Sequence, residues 1–318
     1  MALSKFGQYV NIKVTDKKGA VVFESDDLRI DFDIRHINGF TRAKFSLYNL
    51  LETTVGNLST GEKYVTLSTG LHDREPTVIA NQLYISNALE EKKVPDTIFS
   101  MYCYSKLYKL YLQKPIEIYV KSPTVKKSIE SILNEVGFSG KIIYKTFPEE
   151  VLNYVPDKDS AKHTGSAITC LERLASQYQF NFYTEGDNIV IVYKPDAKNV
   201  SGTDLRSSPD QIVLDTRNMR TNPKLGPATI SVHANLDEKI RPSSIVNITK
   251  LLTAGTSVDE EALQIASKLL ADSVAGAATY QVLSVQHKGS NYSKEWSTHV
   301  FGSNPTEGTD MPVNTWFN

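Results

Sequence analysis

Residues 32–50 read FDIRHINGFTRAKFSLYNL, and this stretch decides the fold class. Phe32 and Ile34 alternate with Asp33 and Arg35, and Phe45 and Leu47 alternate with Lys44 and Ser46. A period of two marks a strand with one apolar and one wet face, as in antiparallel sheets. Between the two segments stands Asn38-Gly39, a strong hairpin signal when alternating segments flank it. The pattern extends upstream through Leu28 and Ile30, with Asp31 beside Asp33 on the polar side, and back to Val10, Ile12 and Val14 in YVNIKV. Turn signals at Asp16-Lys17-Lys18-Gly19 and Ser59-Thr60-Gly61 separate these strands from further ones expected near 63–68, 77–85, 96–104 and 106–112. So many short strands at regular spacing predict a barrel or sandwich.

The middle of the chain changes character. Ser122-Pro123 opens a helix whose apolar residues Val125, Ile129, Ile132, Leu133 and Val136 keep helical spacing, and Gly137 stops it. The strand-like KIIYK follows, and residues 146–163 read as a loop. A second helix starts at Thr164-Gly165-Ser166, presents Ile168, Leu171, Leu174 and Ala175, and ends near Tyr178. A hairpin over Phe180, Phe182 and IVIVY (189–193) completes a small α+β module. After a polar linker at 195–210, strands resume in ATISVHA (228–234) and SIVNITKLL (244–252). A helix is expected over about 257–273, with Asp259, Glu260 and Glu261 in its first turn and Leu263, Ala266, Leu269 and Leu270 facing a sheet. Two strands, Tyr280–Gly289 and Glu295–Gly302, form a last hairpin across Gly289-Ser290-Asn291. The expected organisation is therefore a β unit over 1–112, an α+β insert with linker over 113–204, a second β unit over 205–302 and a tail over 303–318.

Composition narrows the function. The 318 residues hold 35 Lys and Arg against 36 Asp and Glu, a formal charge of −1, so no whole-chain basic field recruits nucleic acid. Cys103 and Cys170 lie in apolar runs and read as buried, reduced thiols, which suits synthesis in a reducing cytoplasm. Neither a secretory leader pattern nor an apolar run of membrane-spanning length is evident, and a soluble intracellular product is expected.

Chemistry-bearing patterns are sparse. The six histidines, His36, His72, His163, His233, His287 and His299, form no short-spaced metal pair. His287 and His299 fall on the two strands of one expected hairpin, where a shared metal is conceivable but ordinary strand histidines are the better reading. Asp31 and Asp33 have the spacing of paired glycosidase carboxylates, yet solvated strand carboxylates look the same. Ser68 with His72-Asp73 lacks a nucleophile elbow. The lysine pairs at 17–18, 92–93 and 126–127 read as solvated faces. The 16 tyrosines fit strand propensity and also interface anchoring.

Three segments, in order, resemble one family. The strand end Leu47-Tyr48-Asn49-Leu50 is similar to the "IYNL" strand end in the opening domain of phage baseplate hub proteins, which are related to the hub half of type VI secretion spike proteins. SPTVKKSIESILNEVGF and TGSAITCLERLASQYQFNFYTEGDNIVIVYKP resemble the family's two helix modules. YQVLSVQHKGSNYSKEWSTHVFG (280–302) resembles its closing hairpin, with His287 before the turn and Trp296 and Thr298 after it. The resemblance implies two tail-tube-like antiparallel β-barrel domains flanking the α+β region. It also implies a homotrimeric virion protein of the tail baseplate, made in the host cytoplasm, that joins a six-fold tail tube or its initiator to a three-fold central spike among other baseplate proteins. Closed cyclic symmetry suits such an adaptor. DNA would pass transiently through the bore, and no cofactor, metal or catalytic residue is implied. Rival readings are a tail-associated cell-wall or glycan hydrolase and a receptor-binding tail module.

Three finer expectations follow. The two β units should superpose. The bore should be neutral or negative so that DNA slides, with Asp31 and Asp33 as contributors. The polar tail should not fold alone, and its Trp316-Phe317 pair should anchor it to a neighbouring subunit or the spike.

Overall fold

The structure is a computed structural model, and it describes residues 8–37, 40–71, 76–105, 108, 115–145, 147–155, 160–185, 187–193, 211–215, 217–221, 223–225, 229–242, 244–248 and 279–303. The linker at 195–210, the helix expected at 257–273 with its apolar face, His72-Asp73, and the tail beyond Ser303 with Trp316 and Phe317 lie outside the described residues.

The protein is mainly β with a small α+β region. The first β unit contains β1 (Gln8–Asp16), β2 (Val21–Ser25), β3 (Ile30–Ile37), β4 (Phe40–Tyr48), helix α1 (Glu52–Ser59), β5 (Lys63–Leu71), β6 (Thr77–Lys93) and β7 (Asp96–Tyr104). Alternation in β3 is strict: Ile30, Phe32, Ile34 and His36 are buried and the residues between them are half-buried. Ile37 pairs with Phe40, as the Asn38-Gly39 signal requires of its flanks. The expected strand at 106–112 lies largely outside the described residues, and its one described member corrects it. Tyr108 is helical and stacks on Tyr104 with ring centroids 3.9 Å apart.

The α+β region holds β8 (Ile116–Lys121), α2 (Val125–Glu135), β9 (Ile142–Lys145), α3 (Glu149–Leu152), β10 (Ser160–Gly165), α4 (Ala167–Gln177), β11 (Phe180–Glu185) and β12 (Asn188–Tyr193). Thr124 and Ser166 cap α2 and α4 by accepting from the backbone N–H three residues on. Gly137 ends the first helix with φ of 71°. The segment expected as a loop over 146–163 is partly structured, carrying α3 and the first residues of β10, which pairs with β8. The two helices and the β9–β12–β11 sheet enclose a core of Ile129, Ile132, Leu133, Leu171, Phe180, Phe182, Ile189 and Ile191.

The second β unit contributes β13 (Gln211–Val213), β14 (Lys224–Leu225), β15 (Thr229–Asn235), β16 (Ile245–Asn247), β17 (Thr279–Ser290) and β18 (Trp296–Ser303). Its core gathers Ile230, Val232, Ala234, Val246, Val282, Val285 and Val300. Pairing is antiparallel apart from β13 with β16 and β9 with β12, which are parallel.

The two β units are a single 13-stranded sheet, in the order β14-β15-β18-β17-β3-β4-β7-β6-β5-β1-β2, with β16 joined to β17 and β13 to β16. The seam is β17 against β3, in register from Val285↔His36 to Ser290↔Asp31. Trp296 of the last hairpin is consequently part of the first unit's core, together with Ile12, Ile34, Phe45, Leu67, Phe99 and Met101.

Candidate functional site

The seam is built from side chains of both units. Gly289 stands opposite Phe32 on one side and Trp296 on the other, and the two rings meet edge-on at 5.6 Å over it. Only a residue without a side chain leaves that space. His287 is fully buried and stands in register with Thr298, its Nδ1 3.0 Å from Thr298 Oγ1. That hydroxyl oxygen also accepts from the Asp237 backbone N–H at 2.9 Å. So the His287, Trp296 and Thr298 pattern of the closing hairpin is the joint between the units. Asn291 completes it: it was expected in the turn, but it is buried and grips the start of β3. Its Oδ1 accepts from Ile30 N at 2.9 Å and its Nδ2 donates to Leu28 O at 2.7 Å.

A second clasp comes from Arg241. Its Nη1 reaches His36 Nε2 at 3.0 Å and Ile79 O at 3.1 Å, and its Nη2 reaches Val78 O at 3.1 Å. Guanidinium only donates, so His36 Nε2 must accept and the ring proton sits on Nδ1, donating to Thr41 Oγ1 at 2.9 Å. His36 and His287 face each other edge-on at 5.5 Å. Burial, then the Arg241 charge, then the neighbouring imidazole hold His36 well below the usual histidine range. Burial and Arg241 press His287 down to about 3, against a smaller opposing pull from the Ile240 backbone. His36 and Arg241 border a cavity of about 330 Å³ where all three parts of the chain meet, lined also by Thr41, Asn81, Tyr183 and Asn188.

On the opposite side of the sheet runs a continuous polar face. Strand register assembles one row from eight strands: Tyr64, Tyr84, Tyr104, Arg42, Arg35, Gln286, His299 and His233. Beside it lies a second row of Asn87, Tyr102, Lys44, Asp33, Lys288, Ser297 and Asn235. Asp31 and Asp33 are on this face, each held by neighbours. Tyr48 Oη donates to Asp31 at 2.6 Å with Arg29 at 3.7 Å. Arg35 bridges Asp33 at 3.2 Å, and Gln286 Nε2 donates to it at 2.7 Å. They are not a free acid–base pair.

The remaining candidates resolve simply. His287 pairs with Thr298, so His299, one residue on, points to the opposite face and stacks on His233 at 3.9 Å. The hairpin therefore does not bring His287 and His299 to one metal. Burial first, then His233, lowers His299 to about 4. Cys103 and Cys170 are free and buried, and desolvation raises both thiols. The Tyr48-Asn49-Leu50 corner has a local reason. Asn49 takes φ of 58°, accepts from Thr97 N and donates to Asp96 Oδ1, both at 3.0 Å, so it clamps the β6–β7 turn. Among the described residues, no helix is long and apolar enough to cross a membrane.

No protein-family model and no curated protein sequence matches the chain. Solved structures do match along most of its length. A tail protein from Neisseria meningitidis MC58 aligns with a TM-score of 0.60 at 11% identity, covering 94% of this chain and 99% of its own. The 43 kDa tail protein of prophage MuSo2 from Shewanella oneidensis aligns with a TM-score of 0.58 at 8% identity, covering 94% and 98%. An E. coli component of the type VI secretion system, described as structurally similar to T4 bacteriophage tail proteins, aligns with a TM-score of 0.54 at 9% identity, covering 87% and 73%. At such identities the likeness is one of fold, shared with these tail proteins and this secretion-system component.

Proposed function

We propose that the chain is a structural hub of a tail baseplate. In this reading it is a homotrimer that joins a six-fold tail tube to a three-fold spike and forms part of the DNA channel. The observation that carries the reading is the end-to-end fold likeness to tail proteins, including both β units and the α+β region between them. The fused sheet supports it physically. Two β units locked edge to edge by β17 and β3 act as one rigid plate, and three such plates supply six β units on one three-fold axis. The clustered polar side chains at the seam have structural partners on both sides, which favours assembly over hydrolysis.

Light scattering on the purified chain is the direct test. A mass of three times the 35.5 kDa chain is expected, and a monomer at all concentrations and in the presence of tube and spike proteins would refute the hub reading. Purified trimer should not release fragments from peptidoglycan; release that survives Asp31→Asn and Asp33→Asn would point to the hydrolase reading at another site.

The polar face with Asp31 and Asp33 is assigned to the bore, and Trp316 and Phe317 to the spike joint. Deleting residues 304–318 should leave the monomer's melting temperature unchanged and abolish spike attachment. A lower melting temperature with attachment retained would place the tail on its own domain.

A further inference from the structure

We propose that the sheet face centred on Arg42, Lys44 and Lys288 is a non-specific contact surface for the phosphodiester backbone of double-stranded DNA. The choice of DNA as occupant rests on the hub reading; the charge geometry stands without it.

Strand register sets the width of the face. The row from Tyr64 to His233 crosses eight neighbouring strands, roughly 34 Å at the usual inter-strand spacing. That is about one turn of B-form DNA. Whole-chain charge hides what this face carries. Arg29, Arg35, Arg42, Lys44 and Lys288 stand against Asp31, Asp33 and Asp96, the last 4.0 Å from Arg29. Asp33 alone has Lys44 opposite it on one neighbouring strand and Lys288 on the other, besides its bridge to Arg35. Glu91 lies in the field of Lys44 but is bonded to Lys93 at 3.0 Å. The face therefore has an excess of about two positive charges after local pairing, enough for weak, salt-labile phosphate contact. Arg42 and Lys44 are exposed. Tyr84, Tyr102 and Tyr104 interleave with them, and tyrosine hydroxyls are common phosphate donors. His233 and His299 add no charge near neutrality, because burial lowers both. No element of sequence-specific readout is needed, since backbone contact positions without reading bases.

A bore lined by this face would be positive, the reverse of the neutral or negative lining expected from the sequence. Asp31 and Asp33 do line the face assigned to the bore, but they are offset by cations from both β units. The surface grips weakly instead of repelling.

The test uses the full chain and a fluorescent duplex of about two helical turns. Anisotropy titrations between about 50 and 200 mM salt should give a log–log slope near −2. Arg42→Glu with Lys44→Glu should lower affinity at least tenfold at the low-salt end and flatten the slope. Lys121→Glu with Lys126→Glu, the same charge change on the exposed surface of the α+β region, should bind like wild type. The proposal is overturned by no binding at low salt, or by equal loss in both double variants. It is also overturned if the Arg42/Lys44 change breaks the three-chain mass and leaves duplex binding intact, which would make this face a protein–protein surface. Duplex binding by a wild type that never trimerises would sink the hub reading and leave this one standing.

Discussion

Between pH 6.5 and about 5 His36 and His287 together should withdraw stability at up to about 2.7 kcal/mol per pH unit, the slope of two protons taken up on unfolding, and His299 adds to it. The pair lies at the seam. Both are buried beside Arg241, and both have folded pKa values depressed below the unfolded value, His287 to about 3. The sign follows from that depression. Above the unfolded pKa of about 6.5 neither state binds the proton and the contribution is complete. As pH falls, the unfolded chain is protonated and the folded chain is not, so stability drains until the folded pKa is reached. Protonating His36 would also take away the lone pair that accepts from Arg241 Nη1 and set two cations 3.0 Å apart. Urea midpoints across this range measure the effect. Replacing His287 by Gln keeps a polar partner for Thr298 and should remove about one proton from the slope. Parallel curves for the variant and wild type would show that acid lability arises elsewhere.

Gly289→Val should cost about 3 kcal/mol or more and, in a marginal background, prevent soluble expression. A Cβ at this position would come within 2.4 Å of Phe32 Cζ and 2.8 Å of Trp296 Cε3. Neither ring is free to move, since Trp296 and Phe32 pack on each other and on the first unit's core. Phe32→Leu should recover part of the loss in the double variant, because it withdraws the nearest atoms. A wild-type denaturation midpoint for Gly289→Val, or no recovery with Phe32→Leu, would mean that the rings do not meet over the glycine.

Most strands and both longer helices are legible in the sequence because their signals are local. The alternation of Ile30, Phe32 and Ile34 carries β3, and Thr124 and Ser166 mark their helices through hydrogen bonds spanning three residues. What escaped depends on distant partners. SAKHTG in β10 has no alternation of its own and becomes a strand through β8 and the Lys162–Glu117 bridge at 2.7 Å. The polar end of β6, NALEEKK, is a strand only because β7 pairs with it. Of the seam, the resemblance picked out His287, Trp296 and Thr298 as a pattern. Their purpose waited on strand register, and Arg241 and Asn291 had no local signature at all. Asp31 and Asp33 were found by their spacing, but their neutralisation by Arg29 and Arg35 and by lysines on neighbouring strands was not visible in one segment.

The seam also sets an order of events during synthesis. Ile30 is bonded to Asn291, 261 residues later in the chain. At ribosomal rates of about 5–20 residues per second, the outer edge of β3 waits on the order of 15–50 s for its partner strand, and the first core waits as long for Trp296. Through that interval the nascent protein carries an unpaired strand edge, the feature most prone to joining another polypeptide. Asp31, Asp33 and Arg35 alternate along that very strand. The charges that later stand on the polar face thus first serve as guards, keeping neighbouring nascent chains apart until the last hairpin arrives.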